Sequence, residues 1–557
     1  MRKLILAALA SAALPGIAQA QSDSDLRNAA KNPRAVLTYG MNYTQQRFSP
    51  LKQINRQTVK RLVPAWTYSM ENNTGEESQP MVKDGVIYIT NHNMTAAVDA
   101  LTGREIWKSK IEYEPDALKV VCCGIVNRGG ALYDGKFFRT LLDGRVQALD
   151  QKTGKEVWSV RSGDFKEGMA MTGAPLIANG VVITGVAGAE FGVRGYIEGY
   201  DPATGKRLWR HYTVPKPGEP GSNTWPDNAA RASGGSSWTT GSYDPELDIV
   251  YWGIGNPSPW DPLDRKGDNL YTDTILAVKP KTGEMVWFYQ TSPNDPFDHD
   301  NVNSIVLADL KIDGKMQKVV LQACRNGFFY VLDRANGKLL AANPYVKVTW
   351  ASHVDMETGR PVWSETTKKI LDHVEHVTTY PSISGGTNWF PMSFSPLTRL
   401  AYVNTLNIGM EYEALPAEQV RDIKVGERTG PNTVKLKNVY DGDRGYLKAV
   451  DPLTGKAKWQ LGFTSPNWAG TLVTAGGLVF TGELTGEFIA VDIDTGKIVW
   501  QFQTPSGIIG QPVTWERNSK QYVTVTSGAG GVYFERIPDP NLVHVPKGGS
   551  LWTFRLM

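Results

Sequence analysis

Along most of this chain, short alternating runs of apolar and polar residues end on an Asp and break at a Thr-Gly or Asn-Gly pair. Each then resumes as a strand that carries a Trp. The pattern reads Asp99…Thr102-Gly103…Trp107, Asp150…Thr153-Gly154…Trp158, Asp201…Thr204-Gly205…Trp209, Asp451…Thr454-Gly455…Trp459 and Asp492…Thr495-Gly496…Trp500. A variant with Lys for Asp runs Lys279…Thr282-Gly283…Trp287, and a weaker one, Asp333…Asn336-Gly337, has Ala341 where the Trp should stand. Alternation with a two-residue period predicts strands, and the Asp and Gly residues supply the geometry of tight hairpins. The apolar residues vary between copies while the Trp is steady. The Trp steps are about 40–55 residues at several places, the length of a four-stranded blade. A large aromatic at one fixed point per repeat suits a staple between neighbouring sheets. With a degenerate copy ending at Trp66, the pattern predicts an all-β fold, an eight-bladed β-propeller with tryptophan docking motifs. Coincidental hairpins in a β-sandwich are the alternative, which so regular a series disfavours.

Departures from the repeat are informative. Asp355…Thr358-Gly359…Trp363 is a full match but follows its predecessor by only about half a blade, so one of these two copies is expected to be a decorated turn. Residues 410–444 are charged, carry Gly and Pro, and read as a surface excursion; 23–64 is polar and helix-compatible. Leu551–Leu556 reads as a last strand that closes the ring and removes an exposed sheet edge.

Lys and Arg number 59 against 56 acidic residues, a formal net charge of +3. With no basic block, nucleic-acid binding is not expected. Met1-Arg2-Lys3, an apolar stretch to about Ile17 and Ala18-Gln19-Ala20 read as a secretory signal peptide over residues 1–20. That leaves 21–557 as a single propeller domain. The residue after the cut is Gln21 and not Cys, and no later run is long enough to span a bilayer, so the expectation is a soluble bacterial periplasmic protein without a membrane anchor.

The least ordinary feature is Cys122-Cys123, in Val-Val-Cys-Cys-Gly-Ile-Val-Asn127-Arg128-Gly. Export permits oxidation, and a bond between these neighbours would close a strained ring useful as a flat, rigid surface. Two reduced buried thiols are the alternative.

Cys-Cys-x-x-x-Asn-Arg-Gly on a Trp-repeat propeller resembles the pyrroloquinoline quinone (PQQ)-dependent alcohol dehydrogenases, soluble periplasmic quinoproteins, over essentially the whole mature chain. The resemblance implies that a Cys122–Cys123 disulfide lies against one face of the quinone and Trp238, in Gly-Gly-Ser-Ser-Trp, against the other. Glu77 in Glu-Ser-Gln-Pro, Arg128, Thr172 in Met-Thr-Gly-Ala-Pro, Asn388 in Gly-Gly-Thr-Asn-Trp and Trp468 in Asn-Trp-Ala-Gly match quinone-contacting positions. Arg325 in Arg-Asn-Gly matches the Arg beside the reactive carbonyl, and Asp298 aligns with the catalytic Asp. Glu190 in Gly-Ala-Glu-Phe-Gly and Asn256 in Gly-Asn-Pro-Ser-Pro match the metal ligands, and an all-oxygen donor set suits a hard cation.

Asp300 refines the metal. Calcium-dependent relatives usually carry a small or hydroxyl residue two beyond the catalytic Asp, whereas lanthanide-dependent ones carry Asp. Glu190, Asp298 and Asp300 on one ion would repel one another unless the ion is strongly positive, so the resemblance implies a lanthanide, with Ca²⁺ as the alternative. A solvated carboxylate in an acidic loop is the plainer reading of Asp300. Cys324 stands before Arg325 where Asp is expected; it either alters the electrostatics there or is a buried apolar thiol.

The implied reaction oxidises an alcohol to an aldehyde or ketone by metal-assisted hydride transfer to the quinone. Asp298 takes the hydroxyl proton and Arg325 stabilises the oxygen that gains charge. No Cys-x-x-Cys-His haem site is present, so electrons are expected to pass to a separate cytochrome c; a homodimer is left open. Short aliphatic or aromatic primary alcohols are the default substrates, with pocket size depending on 374–387 and the 410–444 excursion. The rival readings are a non-enzymatic propeller scaffold in outer-membrane protein assembly, which would have no reason to combine Cys122-Cys123, Glu190, Asn256 and Asp298, and a quinoprotein sugar dehydrogenase, which the Cys pair argues against.

Overall fold

The computed structural model describes residues 20–229, 232–372, 376–414 and 434–557. The expected leader, but for Ala20, and parts of the 374–387 and 410–444 segments lie outside them.

The repeat folds as its grammar dictates. At Asp150 the carboxylate accepts from the Thr153 amide (2.8 Å) and hydroxyl (2.7 Å), which closes the turn, and Gly154 takes the left-handed φ of +70°. A side chain at Gly154 would stand 2.4 Å from the Trp107 ring of the preceding copy. The Trp107 indole donates to the Gln151 carbonyl (3.1 Å) of that same turn. The contact recurs around the chain: Trp66 donates to Ala100, Trp158 to Pro202, Trp209 to Pro280, Trp459 to Ile493 and Trp500 to Leu62. Each indole therefore reaches across to the next turn in sequence, or, from Trp500, back to the start of the repeats.

The fold is an all-β propeller, and among the described residues eight sheets have four or five strands. Four of them are uninterrupted meanders, such as Met81–Lys83, Val86–Thr90, Met94–Asp99 and Glu105–Lys110. One sheet joins the two ends of the chain. Leu62–Ser69 runs antiparallel to Ser550–Leu556, from Leu62 opposite Leu556 to Ser69 opposite Ser550. Lys520–Ser527 and Val513–Arg517 complete that sheet, so the expected closing strand is where the repeat requires it.

The irregular copies have physical reasons. Asp355…Trp363 is a two-stranded hairpin, Ala351–Val354 with Pro361–Trp363, leading into the helix Glu365–Leu371, whereas Asp333–Gly337 joins strands of a full sheet. After Ala341 the turn at Gly455 is met by backbone and not by an indole: a Cβ on Gly455 would lie 2.6 Å from the Pro344 carbonyl. Asn343 instead donates to the Leu453 carbonyl (2.9 Å), doing for this pair of sheets what Trp does elsewhere.

Two expectations need correction. Within 23–64, α-helix is confined to Asp23–Arg27. The rest is mostly irregular yet buried, with Arg47 wholly enclosed and donating to Gln79 and Gln511. The described residues of the 410–444 excursion belong to two paired strands, Ala401–Ala414 against Val434–Val450, which form an arm. Its charges hide a two-residue alternation: Met410 and Tyr412 are buried, while Glu411 and Glu413 pair on the outside with Lys437 and Lys435.

Candidate active site

A cavity of about 400 Å³ gathers side chains far apart in sequence, among them Cys122, Cys123, Arg128, Thr172, Glu190, Trp238, Asp298, Asp300, Arg325, Asn388 and Trp468. Of the residues singled out from sequence, Glu77 and Asn256 are not on its wall but are bound to it. Glu77 pairs with Arg128 at 2.8 Å, and the Asn256 amide donates to Asp300 (2.8 Å).

Cys122 and Cys123 are joined as a disulfide, which settles the choice left open by the sequence. Trp238 lines the same cavity. Along one edge, Arg128 donates to the Thr172 hydroxyl (2.6 Å), and its guanidinium lies between the rings of Trp238 (4.7 Å) and Trp389 (4.8 Å). This edge is buried and aromatic and carries a guanidinium, suited to a planar anion.

At the acidic end, Arg325 donates to Asp300 at 2.6 Å and faces Asp298 at 3.5 Å. It also donates to the Ile383 carbonyl. Burial pushes the Asp298 carboxyl well above the usual range; Arg325 opposes this, while Asp300, Glu190 and Asp295 reinforce it. Asp300 is likewise raised by burial and opposed by Arg325. Burial alone would lower Arg325, but the surrounding aspartates, Asp300 first, hold it above its ordinary value. Asp295 shapes the loop by accepting from the amides of Phe297 (3.0 Å) and His299 (2.7 Å), and Asp298 sits between them at a left-handed φ of +58°.

The donor set fits a hard cation. The side-chain oxygen of Asn256 and one oxygen of Asp298 are buried without a hydrogen-bond partner, and buried polar atoms are ordinarily satisfied. The one trio of potential ligand groups within 4.8 Å of one another, among the described residues, is Cys122, Cys123 and Glu190, and sulfurs already bonded to each other offer no thiolate. The flat ligand has matching groups too, for the Trp468 indole N–H and Arg325 Nε are buried without partners.

Several contributors escaped the sequence. Trp389 follows Asn388 directly but carried no separate signal. Gly255 is demanded by close approach, since a Cβ there would lie 2.1 Å from the Asp300 carboxylate. Leu436 and Asn438 reach the cavity from the arm. Cys324 is the buried apolar thiol of the two readings, with no surface exposed and its pKa pushed by burial up to about 12.

A family model for the PQQ glucose/ethanol/alcohol dehydrogenase β-propeller domain matches residues 37–360 and 426–523. The quinoprotein alcohol dehydrogenase PedH of Pseudomonas putida is 39% identical over 581 residues, covering 98% of this chain and 96% of its own. A lanthanide-dependent methanol dehydrogenase of Methylacidiphilum fumariolicum is 40% identical over 541 residues, covering 92% and 87%. Among solved structures, a europium-containing methanol dehydrogenase superposes with a TM-score of 0.89 at 35% identity, over 96% of this chain and 100% of the other. A cavity walled by a disulfide of neighbouring cysteines and an indole, with buried acids at one end, thus lies in a chain that belongs to the PQQ-dependent alcohol dehydrogenase family of β-propellers.

Proposed function

We propose that this chain is a PQQ-dependent alcohol dehydrogenase that oxidises primary alcohols to aldehydes, uses a lanthanide ion, and passes its electrons to a cytochrome c in the periplasm. The observation that carries this reading is the convergence of the disulfide, Trp238 and the Asp298–Arg325–Asp300 cluster on one cavity. Asp300 supports the lanthanide: three carboxylates with one guanidinium leave a surplus of negative charge that a trivalent ion balances better than Ca²⁺ does. The architecture is read as eight blades with docked tryptophans, supported by the eight larger sheets and the repeated indole-to-turn contacts. Residues 1–20 are read as a cleaved leader and 21–557 as one domain, supported by the buried Gln21, which donates to Gln151 and accepts from Gly135. No helix of the described residues is long and apolar enough to cross a membrane.

In this reading the disulfide, Trp238, Arg128 (backed by Glu77), Thr172, Asn388 and Trp468 would hold the cofactor. Glu190, Asn256, Asp298 and Asp300 would hold the ion. When bound, these groups supply a quinone able to take two electrons and a Lewis acid beside it. Asp298, on the cavity wall beside Arg325, is placed to accept the hydroxyl proton of the alcohol as general base. Arg325, fixed by Asp300 and the Ile383 carbonyl, presents positive charge where negative charge develops, and needs no rearrangement to do so.

The test is reconstitution of metal-free protein with PQQ and either La³⁺ or Ca²⁺, followed by a dye-linked alcohol assay. La³⁺ should support turnover and Asp300→Ala should abolish it. Activity with Ca²⁺ alone would reject the role given to Asp300.

A further inference from the structure

The two ends of the cavity are walled by different parts of the chain. Val532 and Ile537 pack with Trp238, Trp389 and Trp468, at the end suited to the flat ring. Trp260, Ile383 and Leu436 belong instead to the apolar cluster that holds Phe297, the residue before Asp298. They are thus apolar wall available to the carbon chain of a molecule whose hydroxyl reaches Asp298.

Of the three, Leu436 comes from the arm. Leu436 and Asn438 are two apart on Val434–Val450 and both line the cavity, as a strand's alternation requires. Lys437 between them points outward and pairs with Glu411 at 3.1 Å. Trp260 and Ile383 are tied to the acid cluster: the Trp260 carbonyl accepts from Arg265 (2.9 Å), which also grips Asp295, and the Ile383 carbonyl accepts from Arg325. Leu436 has no such tie; across the strands it faces Tyr412, which packs on Phe297 with ring centres 6.4 Å apart. Its size can change without moving a carboxylate.

We propose that Leu436 determines how long an alcohol this chain accepts. It lines the cavity from the arm, opposite the Tyr412 that packs on Phe297, so short unbranched aliphatic alcohols fit and longer chains meet the arm. The inference rests on the function proposed above and names the substrate class of that site. The volume agrees: about 400 Å³ lies near the lower end for small-molecule pockets, roughly 300–1,000 Å³, and a flat cofactor must share it.

The experiment uses the enzyme loaded with PQQ and La³⁺ and compares kcat/KM for ethanol, 1-butanol and 1-hexanol. Leu436→Ala should raise the hexanol-to-ethanol ratio about tenfold and Leu436→Phe should lower it about tenfold, the scale on which a methylene is discriminated in an apolar pocket. Lys437→Ala, on the outer face of the same strand, should leave the ratio in place. PQQ binding, read by quenching of tryptophan fluorescence, should be retained in every variant. A ratio that stays within about twofold in both Leu436 variants overturns the proposal. So does a matching shift in Lys437→Ala, or loss of PQQ binding in the Leu436 variants, since either points to a deformed arm. A loaded wild-type protein that binds PQQ but oxidises no alcohol overturns the proposed function, and this inference with it.

Discussion

Glu76 shows how a single buried residue couples this fold to pH. It is wholly buried and accepts from Asn72 (2.9 Å), and burial pushes its carboxyl up to about 8. In the unfolded chain a Glu titrates near ~4.3. Between these values the folded state holds a proton that the unfolded state has released, so stability falls as pH rises through the window and levels off above about 8. The slope from this one group is on the order of 1 kcal/mol per pH unit. Glu76→Gln keeps the shape and removes the titration, so its urea-unfolding stability should lack that component from about pH 5 to 8. Parallel curves for the two proteins would refute the assignment. Nothing in the Glu76-Glu77 pair told these neighbours apart in sequence. Glu77 came with a motif, whereas the enclosure of Glu76 is made by Gly528 and Gly549, where a Cβ would strike its side chain at 2.4 and 2.3 Å, more than 400 positions away.

Among elements, the tryptophan strand is the unit that repays attention. Trp158 is 9% exposed, donates to the Pro202 carbonyl (3.1 Å) and covers Gly205. Trp158→Ala should cost about 3–5 kcal/mol in chemical unfolding, and Trp158→Phe should recover most of it, since it forfeits mainly one hydrogen bond of about 1 kcal/mol. Equal losses in both variants would mean that the hydrogen bond, not the ring, holds the sheets. These repeats were legible because Asp, Thr and Gly make their turn within a few residues, so the sequence carries the whole cause. The arm was not, because Glu411, Glu413, Lys435 and Lys437 place charge on one face of strands whose other face is covered by distant residues such as Phe297. The site stood between these cases. Its chemistry-bearing residues could be aligned with a known motif set, but the Arg128–Trp389 contact and the closeness of Gly255 to Asp300 exist only after folding.

For the whole molecule, closure decides stability. Ser550–Leu556 is hydrogen-bonded on both sides, to Leu62–Ser69 and to Lys520–Ser527. Removing residues 550–557 should strip Leu62–Ser69 of its partner and expose two sheet edges. The shortened chain is expected to lose its single cooperative urea transition and become sensitive to limited proteolysis within 62–69. A truncated protein with wild-type unfolding would show that the joint carries no weight.

That joint also sets a timetable. A strand made early must wait, unpaired, for one synthesised nearly five hundred residues later, and contacts so distant along a chain form slowly. Until the final segment emerges, an apolar ribbon is open to strangers, and an attendant chaperone would earn its keep at that first strand.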